Sequence, residues 1–288
     1  MKWVQKSCAH FFRNRRGVNM GREKKQKKKT GWLSNLILIV AIGVFLYAGF
    51  QLFQIFREYK AGEDEYKAIE QMAVTEELVP VVSEKDGLPE QKKVFNVDFA
   101  KLKKINPDVV GWIRFEEPSQ ISYPLVKGTD NEKYLKTTFE GNRNSAGTLF
   151  LDMNNAGDFS DYNTFIYGHN MKNGSMFGRL RKYKSKSFCE KNPYFYIYTP
   201  DGVEVKYQVF AASVVKDSSD SYRKWYADDA DFEQYLKHIK ETSLYNVKVE
   251  VNSSSKIVSL STCTNVSDDE RLLVHGVKVS ETPMKTGE

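Results

Sequence analysis

Hydrophobic positions form two distinct patterns along the 288-residue chain, and the first is a continuous apolar run near its start. Residues 33–53, LSNLILIVAIGVFLYAGFQLF, are almost wholly apolar and carry no charge. A helix rises about 1.5 Å per residue, so roughly 20 such residues cross a hydrocarbon core of about 30 Å. A core helix of a soluble protein would keep a polar face. A cleaved signal peptide would have a shorter apolar region that ends in a clear cleavage site. The pattern therefore predicts an uncleaved transmembrane anchor.

The second pattern begins near Val94, where apolar positions occur in short runs separated by Gly, Asn, Asp and Pro. The runs are rich in Val, Ile, Tyr and Phe, which is typical of β-strands. Many short strands with few helices predict a mainly β fold, either a closed barrel or a sandwich. The predicted strands are VVGWIRF, ISYPLV, GTLFLD, NTFIYG, YFYIYT, VEVKYQVFAASVV, NVKVEV, KIVSLSTC and RLLVHGVKV.

Two segments of this region have helical character instead. The first, VDFAKLKKINPD, has Asp98 near its start and Pro107 as a stop signal. In the second, DDADFEQYLKHIKE, His238 falls off the apolar face, so we expect it to face solvent and to take no part in catalysis. Residues spaced 0, 3, 4 and 7 form that apolar face, and they are Phe232, Tyr235, Leu236 and Ile239.

Composition divides the rest of the chain. Residues 57–78 are rich in Glu, Lys and Ala, which favours a helix. Residues 79–93, VPVVSEKDGLPEQKK, contain two prolines, a glycine and several charges, as a linker does. We therefore expect a basic tail over residues 1–31, the anchor over 32–56, a helical stalk and linker over 57–93, and the folded domain over 94–288.

Charge is concentrated at the N-terminus. Residues 1–30 contain eleven Lys or Arg and one Glu, a net charge of +10 in a chain of +6, so the remainder carries −4. Positive flanks stay in the cytoplasm, which predicts a cytoplasmic N-terminus and an extracellular domain. We expect the basic run REKKQKKK to contact anionic lipid. A nucleic-acid-binding protein would carry its basic residues on the folded domain, so we expect no nucleic-acid partner.

Cysteine is rare, with three residues in the whole chain. Cys8 lies in the basic tail, and Cys189 and Cys263 lie in the folded domain. A disulfide between the last two is one interpretation for an exported protein. Cys189 lies in the charged stretch SKSFCEKNP, so we expect it at the surface or half-buried.

Cys263 ends the predicted strand KIVSLSTC, and alternation places it on the more polar face. The opposite face, which we expect to join the core, consists of Val258, Leu260 and Thr262. Seven residues, TNVSDDE, separate Cys263 from Arg271, so a hairpin would place the two side by side. A guanidinium there would favour a thiolate and could bind a carbonyl, or it could pair with the acids of SDDE. Without such partners, Cys263 could be a small packing residue.

A cysteine nucleophile requires a base, and two histidines are candidates. His275 lies inside a predicted strand and could simply be packed there. His169 follows the strand TFIYG, which ends at Gly168, and starts a loop rich in Asn and Gly. Ligand-facing residues often lie on such loops, which favours His169. No metal-binding pattern and no glycine-rich phosphate loop is visible, so we expect no cofactor.

The segment YGHNM, followed about ninety residues later by SLSTC and then an arginine, resembles the sortases, and class B sortases in particular. The resemblance covers residues 94–280 and includes INPDVVGWI, ISYPLV, GTLFLD and the long helix before the last strands. The family's Thr-Leu-x-Thr-Cys is changed in one position, since Ser259 replaces the first threonine and keeps its hydroxyl.

The resemblance implies a closed β-barrel transpeptidase on the outer face of a Gram-positive cell. Such an enzyme cleaves the C-terminal sorting signal of an exported protein. It then joins the new carboxyl end of that protein to an amine of a cell-wall peptide or of a pilin lysine. It implies that Cys263 is the nucleophile, His169 the acid and base, and Arg271 the group that orients substrate or stabilises the oxyanion. The substrate-binding residues it implies are Ser261, Tyr167, Asn131 and Leu135. An extracellular cysteine protease and a non-catalytic scaffold are the alternatives.

Overall fold

A computed structural model of the protein describes residues 31–82 and 89–284. Its helices are α1 (Gly31–Ala73), α2 (Phe99–Ile105), α3 (Lys186–Lys191) and α4 (Asp229–Thr242). Its strands are β1 (Val74–Val82), β2 (Pro89–Val97), β3 (Val109–Phe115), β4 (Ser122–Val126), β5 (Leu149–Leu151), β6 (Asn163–Tyr167), β7 (Tyr194–Thr199), β8 (Val203–Lys216), β9 (Ile257–Cys263) and β10 (Glu270–Pro283). The basic tail and Cys8 lie outside the described residues.

Eight strands, β3 to β10, close into a barrel in the order β10-β8-β7-β3-β4-β5-β6-β9. Neighbouring strands are antiparallel except for two parallel pairs, β4 with β5 and β6 with β9. Apolar side chains from every strand fill the interior, including the fully buried Trp112, Phe150 and Leu260. The predicted mainly β closed barrel is therefore confirmed, and eight of the nine predicted strands are present.

The prediction of a strand at NVKVEV is wrong. Residues 246–251 make no strand pairing, although the burial of their side chains alternates as the sequence predicts. Val247 packs against the barrel core, and Val249 and Val251 pack against the residues beneath α4. A closed barrel has no free edge to accept another strand, so this segment buries its apolar side chains without joining the sheet.

Helix α1 begins with the predicted anchor. Its apolar part is long enough to cross a membrane, and none of the residues in its most apolar stretch is buried in the protein. The helix then continues through the predicted stalk and ends at Ala73, five residues before the predicted end. In this second part Tyr66, Ile69 and Ala73 are buried in the barrel core, so residues of the predicted stalk belong to the folded unit.

Residues 74–82 and 89–97 form a two-stranded hairpin where the sequence predicted the end of the stalk and a linker. Strands β1 and β2 pair from Val74 with Val97 to Val82 with Pro89. Phe95 fixes the hairpin to the barrel, because it is buried against Tyr198. The prolines that favoured a linker lie in a two-stranded ribbon, where the missing N–H group is tolerated.

The two predicted helices, α2 and α4, form as expected. Asp98 caps α2 by accepting a hydrogen bond from the backbone N–H of Lys101 at 3.0 Å. The apolar face of α4 is buried over the outside of the barrel, where it meets Ile257 of β9. Both faces of β9 are consequently buried, and the face with Ser259 is more enclosed than its polar sequence predicted.

Candidate active site

The parallel pair β6 and β9 brings the histidine and cysteine segments together. Tyr167 lies opposite Ser261 in this pairing, so both strands end at the same edge of the barrel. His169 follows the end of β6 by two residues, and Cys263 is the last residue of β9. Residues about ninety positions apart in sequence therefore emerge beside one another.

The predicted hairpin is also present. Strand β10 pairs with β9 in antiparallel fashion, and Arg271 lies directly opposite Cys263 in the register. Because side chains of directly opposed residues lie on the same face of a sheet, the guanidinium and the thiol share one surface.

All seven residues that the sequence proposed for the site line one cleft of about 240 Å³. The cleft is open to solvent at the barrel edge, and Cys263 is partly exposed in it. A larger cavity of about 450 Å³ beside α1 is lined by none of these seven residues. The residues of the smaller cleft are Asn131, Leu135, Phe150, Tyr167, Gly168, His169, Ser261, Thr262, Cys263 and Arg271.

A backbone carbonyl holds the imidazole of His169. Its Nε2 lies 2.7 Å from the carbonyl oxygen of Leu135. A carbonyl only accepts hydrogen bonds, so Nε2 carries the hydrogen and Nδ1 is the nitrogen that can exchange a proton. Gly147 packs against the same carbonyl with a φ of +57°, and any side chain there would collide with Tyr134 and Leu135. The glycine thus protects the contact that orients His169.

Helix α1 holds this part of the cleft wall from behind. The Tyr66 hydroxyl donates to the carbonyl oxygen of Gly147 and lies 3.1 Å from Oγ1 of Thr148. The Glu58 carboxylate accepts from the backbone N–H of Ser145 at 2.7 Å. These bonds fix the loop over residues 138–148, which in turn packs on the backbone of Leu135.

Arg271 has partners that the sequence did not predict. Its Nη2 donates to the carboxylate of Asp217 at 3.1 Å, and its Nη1 donates to the carbonyl oxygens of Asp268 and Glu270. The ion pair therefore involves an acid after β8 and no carboxylate of SDDE. Nε–H and the second hydrogen of Nη2 make no hydrogen bond within the described residues, so one edge of the guanidinium can meet a ligand.

Two asparagines that the sequence analysis did not identify join the histidine loop to the cysteine strand. The amide Nδ2 of Asn170 donates to the carbonyl oxygen of Cys263 at 2.8 Å. The Nδ2 of Asn265 in turn donates to the backbone carbonyl of Asn170 at 3.0 Å. Asn265 has a φ of +63°, a conformation that asparagine tolerates better than most residues. The position of Asn170 next to His169 was the available signal.

Tyr222 is a further residue of the site without a signal in the sequence. It lies in the segment between β8 and α4, and its hydroxyl is 2.6 Å from Oγ of Ser261. Burial raises the pKa of Tyr222 to about 12, so the hydroxyl stays protonated and can share a hydrogen bond with Ser261.

Cys189 is a core residue, which corrects the expectation of a surface position. It is 1% exposed, and its thiol lies 4.0 Å from the carbonyl oxygen of Val209. Burial raises the pKa of the Cys189 thiol, which disfavours its ionisation to a thiolate. Cys189 and Cys263 are both free thiols, so the disulfide interpretation is wrong.

The structure separates the three histidines of the folded domain. His275 is fully buried, and its Nδ1 is hydrogen-bonded to Ser259 at 2.8 Å. His238 is half-buried, not solvent-facing, and its Nε2 lies 3.1 Å from the hydroxyl of Ser221. Neither residue lines the cleft around Cys263, which leaves His169 as the histidine of the site.

The burial of His275 should make the stability of the fold sensitive to acid. Burial, with the nearby charge of His238, lowers its pKa from 6.5 to about 3, so the unfolded chain binds more protons below pH 6.5. The free energy of unfolding should therefore fall by about 2 kcal/mol between pH 7 and pH 5. Urea titrations at several pH values measure this slope. The His275→Asn variant keeps a hydrogen-bonding group without titrating, and an unchanged slope in it would contradict the assignment.

Comparisons with known proteins agree with this geometry. Residues 117–279 match the family model of the Sortase domain. The chain is 31% identical over 258 residues to Sortase B of Listeria monocytogenes, which covers 88% of this chain and 100% of that protein. The crystal structure of sortase B from B. anthracis in complex with AAEK1 has a TM-score of 0.65 and 28% identity, and covers 78% of this chain and 99% of that chain. The Staphylococcus aureus sortase B–substrate complex has a TM-score of 0.59 and 31% identity, and covers 64% of this chain and 85% of that chain. This chain therefore belongs to the sortases, a family of cysteine transpeptidases, and is of the class B type.

Proposed function

We propose that this sortase is a membrane-anchored enzyme that cleaves the C-terminal sorting signal of exported proteins and transfers the new carboxyl end to an amine. The acceptor is an amine of a cell-wall peptide or of a pilin lysine. One observation carries the proposal, which is that Cys263, His169 and Arg271 line the same cleft. The similar Staphylococcus aureus sortase B was solved with a substrate, which supports a peptide ligand for this cleft.

Cys263, Arg271 and His169 each take part in one step of the proposed cleavage reaction. The Cys263 thiolate attacks the carbonyl carbon of the scissile amide, and the carbonyl oxygen becomes an oxyanion. The free edge of the Arg271 guanidinium stabilises that oxyanion. The tetrahedral intermediate then collapses to a thioester as its C–N bond breaks, and His169 donates a proton from Nδ1 to the departing amine.

The second half of the reaction reverses the proton transfer. An acceptor amine attacks the thioester, and Nδ1 of His169 removes the proton that the nitrogen loses. The C–S bond breaks, and a new amide and the Cys263 thiolate result. Ser261, Tyr167, Asn131 and Leu135 bind the peptide along the cleft in this proposal. Tyr222 supports this binding from behind Ser261, to which its hydroxyl is hydrogen-bonded.

A ligation assay tests the proposed function against its alternatives. The soluble domain is incubated with a library of internally quenched pentapeptides, with and without triglycine, and products are identified by mass spectrometry. A transpeptidase yields peptides joined to triglycine. Hydrolysis alone, unaffected by triglycine, would identify a cysteine protease. No turnover of any peptide would favour a non-catalytic scaffold.

We further propose a single-pass topology with the N-terminus in the cytoplasm and the catalytic domain outside. The net charge of +10 on residues 1–30, beside the apolar part of α1, supports this orientation. In the proposed division residues 1–31 are the tail, 32–56 the anchor and 94–288 the catalytic domain. The predicted stalk and linker, residues 57–93, carry the second part of α1, β1 and the start of β2, which support that domain.

Protease accessibility measures the topology. Trypsin added to intact cells whose wall has been stripped should degrade the domain after residue 57 and leave the N-terminal tail protected. A cytoplasmic protein serves as the control for lysis. A domain that is fully protected while the control shows intact cells would overturn the orientation.

A further inference from the structure

A buried carboxylate lies behind the cleft wall and belongs to none of the proposed catalytic groups. Asp152 follows β5 and is 0% exposed. A buried charge is tolerated when it is paired and hydrogen-bonded. Its donors are the Lys224 ammonium, the Tyr167 hydroxyl at 2.9 Å, the Asn131 amide at 3.1 Å, and the backbone and side-chain N–H groups of Asn154, both at 3.0 Å.

Lys224 supplies the charge that keeps this carboxylate ionised. Burial alone would raise the pKa of Asp152, but the hydrogen bonds from Lys224, Asn154 and Tyr167 and the charge of Lys224 outweigh it and hold the pKa below its usual value. Oδ2 accepts three hydrogen bonds and Oδ1 two, so the carboxylate is saturated. Asp152 therefore serves to hold other groups and is not an acid or base for the substrate.

Two of the groups that it holds line the cleft. The Tyr167 hydroxyl has one hydrogen, which it donates to a carboxylate that can only accept. The hydroxyl has no second hydrogen to donate, so its oxygen can only accept a hydrogen bond from a ligand in the cleft. The Asn131 amide is fixed in the same way, because its Nδ2 donates to Asp152 and its Oδ1 accepts from the backbone N–H of Met153 at 2.8 Å.

The ion pair also connects two walls of the cleft. Lys224 lies two residues after Tyr222, in the segment between β8 and α4. Tyr222 contacts Ser261 on the cysteine strand, and Asp152 holds Tyr167 on the histidine strand. The pair therefore links the segment that carries Tyr222 to the wall that carries Tyr167 and Asn131.

We propose that Asp152 and Lys224 are positioning residues that fix the Tyr167 hydroxyl as a hydrogen-bond acceptor, so that the substrate group opposite Tyr167 must be a hydrogen-bond donor. The inference rests on the proposed function, because it concerns how that cleft selects its peptide. It deepens that function by giving the polarity of one substrate contact.

Paired substrates test this polarity. The best pentapeptide substrate from the quenched library is prepared unchanged and as a series of isosteres. Each isostere lacks one hydrogen-bond donor of the parent peptide. The isosteres are an ester for a backbone amide, a methyl ketone for a carboxamide and valine for threonine. Wild-type enzyme with triglycine should lose at least about 10-fold in kcat/KM on one isostere, because a buried acceptor then stays unpaired.

Two variants of the enzyme should lose that discrimination. In Asp152→Asn an amide N–H can donate to the Tyr167 oxygen and turn its hydrogen toward the cleft. In Tyr167→Phe the acceptor is absent. We expect the two forms of the peptide to differ by no more than about 2-fold in either variant. Unchanged discrimination in both variants, or equal turnover of all isosteres by the wild type, would overturn the inference.

A matched control exists in the same domain. Asp108 also accepts from a lysine and a tyrosine, with Lys133 at 2.8 Å and Tyr134 at 2.6 Å, but none of the three lines the cleft. The Asp108→Asn variant should keep the wild-type discrimination. The rate of Cys263 alkylation by iodoacetamide should be unchanged in Tyr167→Phe, which separates substrate selection from loss of the nucleophile.

The outcomes separate the two proposals. A wild-type enzyme that ligates no peptide would defeat the proposed function. A wild-type enzyme that ligates, with variants that discriminate as it does, would defeat only the positioning role. If Asp152→Asn does not fold, Tyr167→Phe decides, because Asp152 then keeps Lys224, Asn131 and Asn154 as donors.

Discussion

Replacing Cys263 with alanine is expected to abolish both peptide cleavage and ligation while the protein keeps its melting temperature. The substitution removes a single sulfur from a partly exposed strand end, so the barrel core is unaffected. No other group in the cleft can form the thioester, since the second cysteine of the domain is buried elsewhere. The quenched-peptide assay with triglycine, together with thermal unfolding, measures both quantities.

His169→Ala should be nearly as severe, because the departing amine then lacks its proton donor. The matched control is Cys189→Ala, which creates a small cavity in the core and leaves the cleft unchanged. Its turnover per folded molecule should stay close to wild type. Near-normal turnover in Cys263→Ala, or a disulfide between the two cysteines in active enzyme, would end this assignment.

For Arg271→Lys we expect a loss of at least about 10²-fold in kcat/KM with little change in melting temperature. Losing an oxyanion donor typically costs about 3–4 kcal/mol, and a lysine ammonium cannot reproduce the planar guanidinium. If Arg271 only formed its ion pair with Asp217, lysine would be mild, because such a pair is worth about 0–1 kcal/mol. Steady-state kinetics with the pentapeptide and triglycine distinguish the two roles.

Asp217→Asn provides the comparison, since it weakens the ion pair but keeps the guanidinium. The lysine variant should be slower than Asp217→Asn by at least about 10-fold. Equal rates in the two variants, or a lysine variant within a few-fold of wild type, would assign Arg271 to the loop and not to the chemistry.

The sequence predicted the short strands and the candidate residues Cys263, His169 and Arg271 because the relevant signals are local. His169 follows a strand that stops at a glycine, and Cys263 and Arg271 bracket a short turn between two strands. The end of a predicted strand already indicates that the next side chain lies at the edge of the sheet. The resemblance then implied a closed barrel in which His169 and Cys263 share one site. The parallel pairing of β6 with β9, which brings them together, was not predicted, because no local pattern contains it.

The missed residues are those whose roles depend on contacts between distant segments. Asp152 is hydrogen-bonded to Lys224, 72 residues away, and Tyr222 to Ser261, 39 residues away. Asp217 is 54 residues from Arg271. Nothing about an aspartate after a short strand or a tyrosine in a polar loop marks it as part of a site, because the partner is set by the closure of the barrel.

The second part of α1, from residue 57 on, has the sequence of a stalk for a related reason. Its residues 57–73 have the composition of a solvated helix, and few apolar positions distinguish the face that is buried. The pairing of β1 with β2 has no signal in the sequence, because prolines and charges dominate residues 79–93. Both elements join the barrel core through a small number of buried side chains.

The hydrogen bonds between α1 and the loop over residues 138–148 determine how far the enzyme can be shortened for practical use. A fragment starting at residue 94 would keep all eight barrel strands and the three proposed catalytic residues. It would leave Gly147, Thr148 and Ser145 without the partners that Tyr66 and Glu58 provide. Soluble versions intended for inhibitor screening or protein labelling should therefore begin upstream of Glu58, so that the cleft wall around Leu135 keeps its shape.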